Sequence, residues 1–280
     1  TDKMKNLAVR TLSGIVLAAV VLGAVAWSPW SFGALLLLLV GGMHEFYALA
    51  EARGDRPQRL IGMVTGAVLF AVNFAFLSGR AGAAGGLRPL LAAGMAFLLL
   101  LLPLMLVGEL YRRGENPAAN VGVTLLGICY VALPLTLMAY IPFVGRYAWN
   151  PWTMLFFVFI IWANDVFAYL VGMAFGRHRL FERLSPKKSW EGFFGGVAGA
   201  LVMGYVASRC MGEAWWVWIG LALVAAVTGV LGDLVESMFK RAAGVKDSGT
   251  IIPGHGGLLD RFDAMLLAAP FVVVYLWFVL

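Results

Sequence analysis

What most constrains this chain is a series of apolar runs, each of roughly 18 to 22 residues, that recur along its whole length. The stretch from Trp152 to Phe175, for example, holds one acid and no base. Hydrocarbon offers no water to satisfy backbone N–H and C=O groups, so only helices and closed barrels cross it. A barrel would show short alternating segments instead of continuous runs. Hydrophobic residues make up 61% of the chain and charged residues 13%, about half the usual charged share, which excludes an ordinary soluble globule. The fold class is therefore an all-α polytopic integral membrane protein. The net charge of +6 reads as loop charge that orients the spans, not as a footprint for nucleic acid. Cys129 and Cys210 lie in or beside apolar runs without metal-ligand spacing and read as packing residues.

The pattern predicts nine spans, near residues 11–27, 31–50, 60–78, 89–108, 120–141, 152–175, 190–208, 214–238 and 260–279. Turn-forming residues separate them, among them Ser28-Pro29, Gly54-Asp55-Arg56-Pro57, Gly85-Gly86, Gly114-Glu115-Asn116-Pro117 and Asn150-Pro151. Ala24-Val25-Ala26 resembles a signal-peptidase site, yet the apolar run continues through Trp27, so the first helix is expected to be retained. No repeat of fixed period is visible. With the N-terminus in the cytoplasm, all of the 21 lysines and arginines except Arg80, Arg88, Arg146 and Arg209 fall on the cytoplasmic side. That bias predicts a cytoplasmic N-terminus and an outside C-terminus. The spans are expected to fall into an N-terminal group, residues 1–150, and a C-terminal group, residues 151–280, which holds most of the polar motifs.

This orientation gathers scattered acids. Asp165 falls about 13 residues into a span entered from outside, roughly 20 Å deep. Asp233 lies near the cytoplasmic end of the eighth span. Asp260 and Asp263 open the ninth, three apart and so on one helical face. A lone intramembrane acid can serve helix packing, but acids inside a bilayer are costly and are read first as functional. Several carboxylates on one side repel one another unless cations lie between them, and hard oxygen ligands of this kind suit Mg²⁺ completed by phosphate and water. Lys188, Lys240, Arg241, Lys246 and Arg261 lie beside these acids or beside the turn Pro253-Gly254-His255-Gly256-Gly257. Acids and bases mixed in this way read as metal and phosphate clamps, and the glycines let backbone N–H groups approach phosphate. His255 reads equally as a turn residue or a phosphate contact.

Two further segments carry local signals. In SPKKSWEG, Ser185 to Gly192, either Ser185 with Pro186 or Ser189 caps a helix that has Glu191 in its first turn. Such a cap fixes Lys187 and Lys188 at a helix N-terminus, where anions are favoured. Trp190 reads as an interfacial anchor. Glu45, near the cytoplasmic end of the second span, reads as snorkelling or bonding a neighbour.

Ser237, Lys240-Arg241, Lys246-Asp247, the His255-Gly256-Gly257 triplet and Asp260-Arg261-Phe262-Asp263 together resemble the signature of the phosphatidate cytidylyltransferase family. Asn164-Asp165 with Ala168-Tyr169, and SPKKSWEG, are also similar to it, so the resemblance is strongest from Asn164 to Asp263. The N-terminal half matches mainly in hydropathy. The resemblance implies a polytopic, homodimeric enzyme of the inner membrane whose active site faces the cytoplasm. It would condense CTP with phosphatidic acid to CDP-diacylglycerol and pyrophosphate using Mg²⁺, alone or with a second cation. By that analogy Asp233, Asp260 and Asp263 hold the metal, with Asp165 as a further ligand or outer acid. Lys240 and Arg261 join those three as catalytic residues. Lys188, Ser189, Ser237, Arg241, Lys246, Asp247, Gly254, His255, Gly256 and Gly257 bind substrate, with Lys188 on the lipid phosphate. The rival reading is an ion-coupled transporter using Asp165 and Asp233, against which stand the missing inverted repeat and an acid cluster at one face. The spacing of a CDP-alcohol transferase is not found, and a structural scaffold leaves the acids unexplained.

Overall fold

The computed structural model describes residues 2–80, 88–112, 114–144, 149–252 and 256–280. The chain is helical in α1 (Asp2–Trp27), α2 (Pro29–Val40), α3 (Gly42–Ala52), α4 (Arg59–Arg80), α5 (Arg88–Arg112), α6 (Pro117–Gly127) and α7 (Leu133–Met138). It continues through α8 (Pro151–Phe175), the strands β1 (Arg179–Phe181) and β2 (Ser185–Ser189), α9 (Trp190–Met211), α10 (Trp215–Ala242) and α11 (Leu259–Val279). Among the described residues, eight helical segments are long and apolar enough to cross a membrane, and the apolar helix Thr11–Trp27 is shorter. The expected all-α polytopic fold is thus observed.

Two predicted spans contain irregularities. The second is split into α2 and α3 at Gly41. Ser28 caps α2 in a reciprocal box with Ser31, and Pro29 occupies the first turn, where its missing N–H costs nothing. The fifth changes register between α6 and α7: Ile128–Ala132 is a π-helix in which Leu133 N–H donates to the Ile128 carbonyl. Pro134 follows at once and has no N–H to donate. Tyr47 braces this region by donating its hydroxyl proton to the Thr124 carbonyl at 2.9 Å.

The chain divides into two compact units, one formed by residues 1–140 with 242–261, the other by 141–241 with 262–280. The first unit has a core of Phe32, Leu36, Met43, Tyr47, Met105 and Val131, all buried. At one end of it Glu109 accepts hydrogen bonds from Gln58 Nε2, Asn120 Nδ2 and Arg112 NH1 at 2.9, 2.6 and 3.0 Å, which ties α5 and α6 to the residue just before α4. The second unit is centred on α8 and α9. Glycines on α9 let the two helices approach: a Cβ on Gly196 would fall 2.8 Å from the Asn164 carbonyl oxygen, and one on Gly192 2.8 Å from that of Ala168. Phe157, Ile160, Trp218, Leu221, Ala225 and Val272 are buried in the same unit.

Candidate active site

In the second unit the segment between α8 and α9 is a short antiparallel hairpin, with Arg179 opposite Ser189 and Phe181 opposite Ser185. Its ends are closed by Glu191, whose carboxylate accepts from the Arg177 and His178 N–H groups and pairs with His178 Nδ1 at 2.6 Å. Ser189 is the helix cap: its Oγ accepts from Gly192 N–H at 3.1 Å. Ser185 instead pairs in the strand. The sequence signals the cap but not the hairpin, because three- and five-residue exposed strands carry little hydrophobic alternation.

The hairpin delivers Lys188 to Asp233. Lys188 Nζ lies 2.6 Å from Asp233 Oδ2, joining positions 45 residues apart in sequence. The pair stands on the wall of a cavity of about 430 Å³ that Asn164, Asp165, Tyr169, Lys187 and Ser189 also line. Asp165 is exposed into that space, and Asn164 beside it is buried with its Oδ1 unpartnered. On the other side of Asp233, α10 and α11 meet closely because residue 232 is glycine. A Cβ there would lie 2.5 Å from the Asp263 carbonyl oxygen and 3.0 Å from Ala264 Cα. Asp233 is consequently within electrostatic reach of both Asp165 and Asp263, and Glu236 shares a hydrogen bond with Asp263. Lys240 Nζ contacts Glu236 Oε2 one turn along α10 at 2.5 Å. Ser237 is half-buried on the same helix and Arg241 is exposed near its end.

The first unit holds the rest of the predicted residues. Helix α10 continues to Ala242, so the connection to α11 runs only from 243 to 258. Lys246, Asp247 and Arg261 are exposed there. Gly256 has φ +86°, a left-handed conformation that only glycine adopts freely, and its backbone bridges to Ile252. Gly254 and His255 lie outside the described residues. Asp260 Oδ2 accepts from the Ser248 and Gly257 N–H groups at 2.9 and 2.8 Å, so this carboxylate closes the loop on itself.

Three residues carry more of the architecture than the sequence discloses. Glu236 was legible only as an i, i+4 partner of Lys240. Ser248 carries no signature of its own. Glu45 is 3% exposed and bonds residues more than 200 positions away. Among the described residues no group of three or more His, Cys, Asp and Glu side chains is set to hold a metal ion. The donor chemistry of Asp165, Asp233 and Asp263 nonetheless fits a hard divalent cation. Mg²⁺ in phosphate chemistry is usually held by one or two carboxylates, with substrate oxygens and water filling the remaining positions.

Comparison with known proteins gives a consistent answer. The profile of the family described as "Cytidylyltransferase family" matches residues 8–279. A phosphatidate cytidylyltransferase of Brucella abortus biovar 1 (strain 9-941) is 33% identical over 283 residues, covering 97% of this chain and 94% of its own. One from Synechocystis sp. is 31% identical over 295 residues, covering 95% of each chain. One from Haemophilus influenzae is 46% identical over 136 residues, which cover 45% of this chain and 46% of its own. A match that runs through all the membrane segments and the acidic motifs together leaves one conclusion: this chain belongs to the cytidylyltransferase family.

Proposed function

We propose that the protein is a phosphatidate cytidylyltransferase that condenses CTP with phosphatidic acid to CDP-diacylglycerol and pyrophosphate. The observation that carries this reading is the Lys188–Asp233 pair on the wall of a cavity, in a chain of the cytidylyltransferase family. Cation and carboxylate together suit a reaction between two anions.

The chemistry asks little covalent work of the protein. A phosphate monoester is already nucleophilic near neutral pH, so no serine or cysteine is activated. One of its oxygens bonds to the α-phosphorus of CTP, the bond from that phosphorus to the β-phosphate oxygen breaks, and pyrophosphate leaves. Catalysis is then positioning and charge neutralisation. Lys188 donates to the lipid phosphate, and Asp233 fixes where its ammonium group sits. Ser189 holds the start of α9 behind Lys188. Lys240, Arg241, Lys246, Arg261 and the turn at Gly254, His255, Gly256 and Gly257 are assigned to the triphosphate and the leaving group, with Ser237 and Asp247 as polar contacts. Asp233, Asp260 and Asp263 would hold Mg²⁺, with Asp165 as a further ligand or outer acid. Bound there, the ion would neutralise charge on the phosphates.

The inner membrane as location, a cytoplasm-facing site and a homodimer complete the reading. They rest on the sequence motifs and on the charge asymmetry of the loops. The test is turnover of labelled CTP and phosphatidic acid by detergent-purified protein, with and without Mg²⁺. Magnesium-dependent release of pyrophosphate with formation of CDP-diacylglycerol is expected. Asp233→Ala and Asp263→Ala should each lower turnover by at least roughly a hundredfold, the scale for removing a charged transition-state contact. Near-normal rates in either variant would refute the metal assignment. A protein mass of one 30.2 kDa chain in detergent, measured by light scattering, would refute the dimer.

A further inference from the structure

Glu45 is a buried acid that none of the roles above uses. It lies on α3, and its carboxylate is filled by partners from the other end of the chain. Oε2 accepts from Ser248 Oγ at 3.0 Å and from Leu259 N–H at 2.8 Å, and Oε1 accepts from Leu258 N–H at 2.8 Å. Leu259 opens α11 and Leu258 directly precedes it, at a helix end where the first N–H groups have no partner within the helix and the dipole favours negative charge. Glu45 is therefore a cap supplied from a distant helix. The fit is close: a Cβ on Gly257 would fall 2.4 Å from Oε2, and one on Gly249 2.7 Å from Oε1. Asp260 binds the N–H groups of two of the same loop residues, Ser248 and Gly257. Two carboxylates thus hold Ser248 and the end of the 243–258 loop that leads into α11, Asp260 from α11 itself and Glu45 from α3.

We propose that Glu45 is a positioning residue for the transferase reaction, holding residues 246–252, Gly256, Gly257 and the first turn of α11 in the form that receives CTP. The proposal rests on the functional reading above. Those residues include Lys246, Asp247, Gly256 and Gly257, which are assigned to the triphosphate, whereas Lys188 on β2 serves the lipid. Loosening the loop must therefore weaken CTP more than phosphatidic acid. A general structural role predicts no such split.

Glu45→Gln tests it sharply. The shape is kept, but one acceptor oxygen becomes an NH₂ group facing N–H donors. The KM for CTP should rise on the order of tenfold, the cost of one charge-assisted hydrogen bond, with the KM for phosphatidic acid within about twofold of wild type. Hydrogen exchange should quicken in residues 246–258 and remain unchanged in α4 and α6. Glu45→Asp, which restores both acceptor oxygens on a shorter arm, should recover part of the CTP affinity. Ser248→Ala removes a single contact while keeping the backbone bond to Asp260. It should raise the same KM by roughly threefold, and it carries the test if Glu45→Gln does not fold. Unchanged KM for CTP in both variants overturns the proposal. So does an equal rise for both substrates accompanied by faster exchange throughout the first unit. Wild-type protein that turns over neither substrate overturns the functional reading and the positioning role together, whereas active wild type with an unaffected Glu45→Gln overturns the role alone.

Discussion

At the scale of single residues, the contact that gives the reading its chemistry is Lys188 with Asp233. Both side chains are about a quarter accessible, so the ammonium group is neither a free surface charge nor sealed in the core. Lys188→Met should raise the KM for phosphatidic acid by about ten- to a hundredfold, the range for a lost hydrogen bond to a charged group. Lys188→Arg should fall between, since a planar fork replaces a point charge of different reach. Steady-state assays at saturating CTP read this directly, and an unaltered KM for the lipid would remove Lys188 from the headgroup. Asp233, Asp260 and Asp263 stood out in the sequence because acids are rare among apolar residues. Their partners did not. That Asp260 spends one oxygen on two backbone N–H groups, and that Glu236 meets Asp263, depends on side-chain directions that spacing alone does not fix.

At the scale of elements, hydropathy located the spans because length and apolar content are summed over some twenty residues. It missed the break at Gly41 and the π-turn at Ile128–Ala132, which alter one or two hydrogen bonds without altering composition. The hairpin between α8 and α9 was missed because its short, largely exposed strands carry little hydrophobic alternation. What the hairpin and cap accomplish can be measured. Ser189→Ala removes the acceptor for Gly192 N–H and should cost about 1 kcal/mol, whereas Ser189→Asn, a good cap, should cost little. Thermal unfolding in detergent would show the difference, and equal losses in the two variants would argue against capping as the main role of Ser189. The α8–α9 seam makes a harder demand. Gly196→Ala places a methyl group against the Asn164 backbone carbonyl, which no rotamer change relieves, and should destabilise by about 1–3 kcal/mol. Wild-type stability in that variant would mean that the helices separate more readily than their packing indicates.

At the scale of the whole molecule, the remaining question is which way the spans run. Helix α9 has 22 residues, about 33 Å of rise against a hydrocarbon core of about 30 Å, long enough to put Lys187 before it and Trp215 after it on opposite sides of a bilayer. In the orientation proposed from the crowding of lysine and arginine, Lys187 lies on the cytoplasmic side, from which a soluble nucleotide would reach Lys188 and Asp233. The exposed native cysteines, Cys129 and Cys210, are first replaced by serine. Lys187→Cys and Trp215→Cys are then treated separately with a membrane-impermeant maleimide. In right-side-out spheroplasts Trp215→Cys should react and Lys187→Cys should not, with the order reversed in inverted vesicles. The opposite pattern would turn the protein over in the membrane, leaving the helices intact but placing the cavity away from cytoplasmic CTP. Labelling of both positions from one side would show that α9 does not span at all, and the charge asymmetry would then lose its meaning as an orientation signal.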